Sequence, residues 1–450
     1  MQLVWFRKDL RIYDNPALYH ACQRGPVTAV YFVTPKQWQA HHLAPMQADF
    51  IEANLNSLGQ SLAQLGILLL IEEVPDFTYI PTRLKALSNL YQVQQIHANR
   101  EPEINEIARD NAVLNTGLPL RLYQGDCIAD PGSVLTQQGK MYKVFSAFRN
   151  AWMAQIKERD ITPLAQPVPV GTQFNATAIA VNYPKISSAA FPGCESQAKQ
   201  MLADFIANDI AMYGKQRDIP GLDATSHLSA YLAIGVLSAK TCVYQVLQAF
   251  PYALDDTTSG GYIWINEIVW REFYRHLLIA NPDLCKGKNY NKLADAIAWQ
   301  NNREYFERWC QGKTGYGLVD AAMRQLNSRG WMHNRLRMVS ASFLTKHLLI
   351  DWRWGEAYFM RHLIDGDLAS NNGGWQWAAS TGCDAQPYFR IFNPILQSQK
   401  FDPKGKFIRK YVKELSNCDD KNIHFPVNAL VEHRLARLNA LDRFSVLKKG

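Results

Sequence analysis

The sequence lacks any apolar run of the roughly 18 residues that a helix needs to span a bilayer. Its opening residues, Met1 to Lys8, place charge where a secretory leader needs an apolar stretch. A cytoplasmic protein without a membrane span is expected. Metal and redox signatures are missing too. The eight cysteines (Cys22, Cys127, Cys194, Cys242, Cys285, Cys310, Cys383 and Cys418) are scattered, with no CxxC pair and no Cys/His cluster, which reads as reduced thiols. The eleven histidines include no HExxH and no i,i+4 pair, so no catalytic metal is predicted. No GxGxxG follows the first β-rich run; Phe6-Arg7-Lys8-Asp9 stands there instead, and a Rossmann-type dinucleotide site is not signalled. Internal repeats and low-complexity tracts are absent, which excludes solenoid and largely disordered architectures.

At 450 residues the chain exceeds what one core usually supports, so two domains are expected. An apolar content of 47% with 20% charged residues is that of an ordinary folded protein. Residues 1–130 alternate short β-rich runs (Leu3 to Phe6, Val27 to Val33, Leu68 to Ile71, Gln95 to Ala98, Leu118 to Leu122) with amphipathic stretches such as Met46 to Leu65 and Glu103 to Leu114. That alternation predicts a doubly wound, Rossmann-like parallel sheet. Residues 131–195 turn to Pro, Gly, Ser and Thr and read as a linker over the surface. Residues 196–450 read as helical, broken at Pro220-Gly221, Pro251, Gly260-Gly261 and Gly373-Gly374. The fold class is therefore α/β followed by all-α. A net charge of +8 favours a polyanionic partner, nucleic acid among them. Of twelve tryptophans, nine lie between residues 264 and 377, a concentration that core packing alone does not explain.

Three segments of the helical half carry chemistry. In Trp264 to His276, Glu267, Trp270, Arg271 and Tyr274 fall at i, i+3, i+4 and i+7 and share a helix face. Such a stripe is either a solvated edge of ion pairs beside a packed indole or a binding surface. In the second case the indole stacks on a base, the carboxylate addresses its polar edge and Arg takes phosphate. In Gly330 to Met338, Trp331, Asn334, Arg335 and Met338 lie on one side; a buried Asn334 would be a network residue or a ligand contact. In Ile364 to Trp377, Asp365 and Asp367 read better as an Arg-paired loop than as metal ligands, and Trp375 and Trp377 face nearly opposite ways. A basic run follows: Arg390, Lys400, Lys404, Lys406, Arg409, Lys410 and Lys413, a solvated face or a phosphate track.

The stretches Val4 to Arg11, Trp264 to His276, Gly330 to Met338 and Asp365 to Arg390 make the chain resemble the photolyase/cryptochrome family from end to end, most closely the class I dimer photolyases. The resemblance implies an antenna-binding α/β domain and a helical domain cradling FAD, repairing ultraviolet-damaged DNA. By position it assigns Tyr213, Thr225, Ser226, His227, Leu228 and Ser229 to the FAD phosphates and nearby groups; the family more often has Arg where His227 stands. It places Trp331, Asn334, Arg337, Asp365, Asp367 and Asn371 around the flavin, with Asn334 facing N5. Trp299, Trp352 and Trp375 match the family's electron-hopping chain. Glu267, Trp270, Asn334, Met338 and Trp377 match the damaged-base pocket, and Arg217, Arg271, Arg335 and Gln397 its DNA contacts.

In the folate-antenna subgroup, His41, Asn105, Glu106, Cys285 and Lys286 hold 5,10-methenyltetrahydrofolate, and this chain resembles that subgroup. Rivals are a cryptochrome-like photoreceptor and a (6-4) photoproduct enzyme. Asn334 and Met338 stand where the latter branch has histidines. A monomer is expected, because no interface pattern stands out.

Overall fold

The computed structural model describes residues 1–448. Five strands, β1 (Gln2–Phe6), β2 (Val27–Val33), β3 (Leu68–Glu73), β4 (Gln95–Asn99) and β5 (Leu120–Tyr123), form one parallel sheet in the order β3-β2-β1-β4-β5. Leu3 of β1 lies opposite Thr28 on one side and Ile96 on the other. Of the three inner strands, β1 and β2 are buried along their whole length, as continuous apolar runs in a parallel sheet require. The expected doubly wound α/β half is present, and each strand falls within two residues of its apolar run.

Four helices of the sheet's compact unit matter here: α1 (Pro45–Gln64), α2 (Ile104–Asn115), α3 (Phe145–Lys157) and α4 (Gly260–Ala280). Helix α1 buries Phe50, Ile51, Leu55, Leu58 and Leu62, one stripe at helical spacing. Three others lie in the remaining helical half: α5 (Asn334–Ser342), α6 (Trp352–His362) and α7 (Leu368–Ala378). There a core cluster gathers Trp309, Leu336, Phe343, Trp352, Phe359 and Trp375.

The compact units do not follow the 1–130, 131–195 and 196–450 division read from composition. One unit comprises residues 1–211, 226–282 and 364–366; the other comprises 212–225, 283–363 and the described residues from Asp367 on. Helix α4 thus packs in the unit of the sheet. The stretch read as a linker contains α3, and its later part is tied along α1. Ile179 N donates to Asn56 Oδ1 at 2.9 Å, and the Ser188 N and Oγ both donate to Asp49.

Where the sequence shows Phe6-Arg7-Lys8-Asp9 in place of a glycine fingerprint, ion pairs line the crevice between β1 and β4 at which the strand order reverses. Arg7 bonds both oxygens of Asp110 at 2.7 and 2.8 Å, Arg109 bonds Glu101 at 2.8 Å, and both guanidiniums lie over the Trp5 ring. The chain leaving this turn is clamped by a second segment: Leu10 N donates to Ile234 O and Arg11 to Gly235 O. Gly235 has φ +71, and a Cβ there would sit 2.0 Å from Lys8 O. Left-handed backbone and overlap with main chain both penalise a side chain. Gly235→Ala is expected to lower unfolding free energy by at least about 2 kcal/mol in urea titrations; an unchanged midpoint would show that the clamp yields.

Candidate active site

Helix α4 is capped by Ser259, whose Oγ accepts from Tyr262 N, and it opens on Gly260 because a Cβ there would lie 1.7 Å from Ile210 O. Its inner face buries Trp264, Ile265, Ile268, Val269 and Phe273. Glu267, Trp270, Arg271 and Tyr274 are each half-buried, so the stripe read from the sequence forms.

What holds this helix was not visible in that stripe. Arg271 and Arg275 both bind the Asp126 carboxylate, and Arg271 also donates to Asp126 O at 2.8 Å. Burial disfavours the Asp126 anion, but the two guanidiniums outweigh it and hold the carboxyl well below its ordinary range. Glu272, fully buried, accepts from Trp152 Nε1 at 2.5 Å, from Ala129 N at 3.2 Å and from Ile128 N. Burial raises its carboxyl to about 7 against those bonds. His276 takes Gly132 N on Nδ1 at 3.1 Å. Four residues of α4 thus grip segment 126–132. Arg271, expected as a DNA contact, has its donors turned to Asp126.

Upstream in the same unit, Ser226 accepts from Trp264 Nε1 at 3.3 Å, His227 has left-handed backbone (φ 52), Leu228 is buried and Ser229 is exposed at the start of a short helix. Asp365 is buried in this unit too.

In the other unit, Tyr213 is buried beneath the Arg217 guanidinium, and Thr225 is half-buried. Helix α5 begins at Asn334, which is exposed rather than buried; as the first helical residue it lies outside the packing that Leu336 and Val339 enter. Its amide therefore has no need of an internal network. Trp331, Arg337 and Met338 are half-buried. Arg335, the second expected DNA contact, pairs with Asp218 at 2.8 and 3.2 Å and lies over Phe401.

At the start of α7, Asp367 accepts from Ser370 Oγ, and Asn371 and Asn372 donate to the Glu356 carbonyl and carboxylate at 3.0 and 2.8 Å. Trp375 is buried and Trp377 half-buried, as their spacing predicts. The Gln397 Oε1 is buried with no partner among the described residues.

All three tryptophans of the expected hopping chain belong to this unit. Trp299 is half-buried with Phe444 edge-on at 5.6 Å, Trp352 is buried with Nε1 donating to Asn289 Oδ1 at 2.9 Å, and Trp375 is buried with Nε1 unpartnered. A further indole of the tryptophan cluster, outside the expected chain, lies beside them: Trp309 is edge-on to Trp375 at 6.1 Å. The clustering of tryptophans was the available signal.

Residues 2–170 match the family model described as DNA photolyase, and residues 264–443 match the FAD binding domain of DNA photolyase. The deoxyribodipyrimidine photo-lyases of Salmonella typhimurium and Escherichia coli are 47% and 45% identical, each over 100% of this chain and 99% of theirs. The chain belongs to the DNA photolyase family. Among solved structures, a bacterial class III photolyase from Agrobacterium tumefaciens superposes with TM-score 0.85 at 34% identity, covering 100% of this chain and 98% of that one. A Synechocystis cryptochrome gives TM-score 0.87 at 28% identity, with 98% of each chain covered.

For the photolyase antenna, the sheet unit brings three of the five expected residues together. His41 Nε2 lies 3.0 Å from Asn105 Nδ2 and 2.8 Å from Gln37 Nε2, and His41 Nδ1 lies 3.8 Å from Glu106. Burial, then Lys8, lowers the His41 imidazole, while burial raises the Glu106 carboxyl. Cys285 and Lys286 stand in the other unit, Lys286 within 3.8 Å of Asp283. Of the basic run, Arg390, Lys400, Lys404, Lys406, Lys410 and Lys413 are exposed, but Arg409 is committed to Cys418 O and Asp420 at 2.7 Å each.

That run is tethered from inside by Lys346, a fully buried residue of the π-turn Phe343–His347, whose Nζ donates to Arg390 O at 3.1 Å. Burial lowers its ammonium to about 7 from 10.5. Between those values the unfolded chain binds the proton that the native chain has lost, so stability rises with pH across this window. The contribution reaches about 1.4 kcal/mol per pH unit where the two states differ by one proton. Lys346→Met should remove that slope between pH 7 and 10.5 in denaturant titrations; a slope equal to wild type would place the charge in water.

Proposed function

We propose that the chain is a light-dependent lyase that splits cyclobutane pyrimidine dimers in DNA, using bound FAD. The observation that carries this reading is the outer face of α4. Glu267 and Trp270 share a half-buried stripe, while the neighbouring ionisable groups are consumed in anchoring the helix. A carboxyl and an indole so held suit a nucleobase that has left its stack.

The chain's residues fit a flavin. Trp375 Nε1 is a buried donor with no acceptor among the described residues, and buried polar groups are rarely left unmet unless a ligand completes them. Tyr213, the run Thr225 to Ser229, Trp331, Arg337, Asp365, Asp367 and Asn371 would hold the cofactor. A reduced flavin bound by these residues would supply, on excitation, the electron for opening the cyclobutane ring, to be returned afterwards.

The protein's part is placement. A dimer is kinked and poorly paired, so extruding it costs less than extruding normal bases. Trp270 and Trp377 would wedge it with apolar contact and exclude water. Glu267 would hydrogen-bond the thymine edge, and in its protonated form would stabilise the charge arriving with the electron. Asn334 and Met338 would also contact the dimer, and the neutral Asn334 amide would add no like charge beside the flavin. Arg217, Gln397 and the exposed basic residues would contact DNA. Arg271 and Arg335 would reach phosphate only by giving up Asp126 and Asp218.

His41, Asn105 and Glu106 would hold a folate antenna. A cytoplasmic monomer follows from the same reading. Among the described residues no helix is long and apolar enough to cross a membrane.

Dimer-containing oligonucleotide incubated with the flavin-loaded protein should regain normal thymines in light only. Repair in darkness, or none in light with FAD fully reduced, would contradict the proposal. Trp299, Trp352 and Trp375 would serve a separate path that reduces oxidised flavin. Trp375→Phe is therefore expected to abolish photoreduction while chemically reduced enzyme still repairs; loss of both activities would merge the two paths.

A further inference from the structure

The residue that sets the plane of the Trp270 indole comes from the stretch that looks like a linker. The Phe145 ring lies parallel to Trp270, 5° between planes and 3.5 Å between centroids. Phe145 is buried and is the first residue of α3, which is pinned to α4 along its length. Trp152, two turns on, donates to Glu272, and Phe148 packs edge-on against Phe273 and His276 at 5.2 and 5.1 Å. Phe145 itself meets Phe273 edge-on at 5.7 Å, so its ring has rigid backing. Trp270 also meets Tyr274 at 5.6 Å and keeps part of its surface exposed.

An indole on an open helix face samples several rotamers, and a ligand that stacks on it must freeze them. Here the stacked phenyl freezes the indole beforehand. We propose that Phe145 is a positioning residue for damaged DNA: it holds Trp270 in the one orientation that receives the dimer, and it touches neither dimer nor flavin. This rests on the reading above that Trp270 contacts the lesion. Removing the ring loses an aromatic stacking pair and restores rotamer freedom, together about a 3- to 10-fold loss in dimer affinity. Once the dimer is seated, the light-driven step is unaffected.

The test is a double-mutant cycle on flavin-loaded protein, reading Kd for a duplex with one thymine dimer, Kd for the undamaged duplex, and repair per absorbed photon at saturating DNA. Phe145→Leu should weaken dimer binding about 3- to 10-fold, leave undamaged duplex and photon yield unchanged, and be rescued by Phe145→Tyr. In a Trp270→Leu background, Phe145→Leu should cost no further affinity. If Trp270→Leu itself leaves dimer binding intact, the reading of Trp270 fails and takes this inference with it. If Trp270→Leu weakens binding but Phe145→Leu does not, or Phe145→Leu still costs affinity on top of it, the positioning role alone is overturned. Phe145→Tyr keeps the ring and the packing, so it decides the matter even where the leucine variant folds poorly: a tyrosine variant with leucine-like affinity overturns the proposal.

Discussion

The grip of α4 on residues 126–132 is the constraint on which the rest depends. Asp126 receives two guanidiniums, Glu272 receives two main-chain N–H donors and the Trp152 indole N–H, and His276 takes a third main-chain donor. Buried charge of this kind persists only when its partners are complete, and removing one partner leaves an uncompensated ion worth about 3–5 kcal/mol. The helix is therefore locked in rotation as well as in place. A rotation of one residue, about 100°, would turn the face that Glu267 and Trp270 share away from its present direction. Orientation of the outer stripe is thus decided by residues that make no claim on a substrate.

The same logic separates positioning cations from available ones. Arg271, Arg335 and Arg409 look alike in sequence to Lys400 or Lys410, yet each spends its donors on a carboxylate or carbonyl. Bidentate guanidinium pairing suits Arg to that work, while the exposed lysines remain point charges for a polyanion. On the proposed function, electrostatic attraction to DNA would fall mainly to the basic run, and recognition of damage to the α4 stripe.

Much of this was legible in the sequence, for identifiable reasons. The buried strands β1 and β2 read as apolar runs, and the less buried β3, β4 and β5 still showed as short β-rich ones, so all five were visible. The helical spacing of Glu267, Trp270 and Tyr274 showed a shared face, and the resemblance named the cofactor half. Contacts between segments far apart in sequence were not visible: no local pattern joins Asp126 to Arg271 or Trp152 to Glu272. Helix α3 was passed over because Pro, Gly and Thr surround it, although Phe145, Phe148, Trp152 and Ile156 keep helical spacing. For Asn334 the sequence left open whether the amide is buried; its place at the first turn of α5 turns it outward.

The central claim is that damaged DNA is received on the α4 stripe. A crystal structure of the flavin-loaded protein with a duplex carrying one thymine dimer tests it most directly. The account predicts the dimer outside the base stack, against the Trp270 indole, with the Glu267 carboxyl in hydrogen-bond reach of a thymine edge. A dimer still stacked in the duplex, or lodged away from α4, would contradict it.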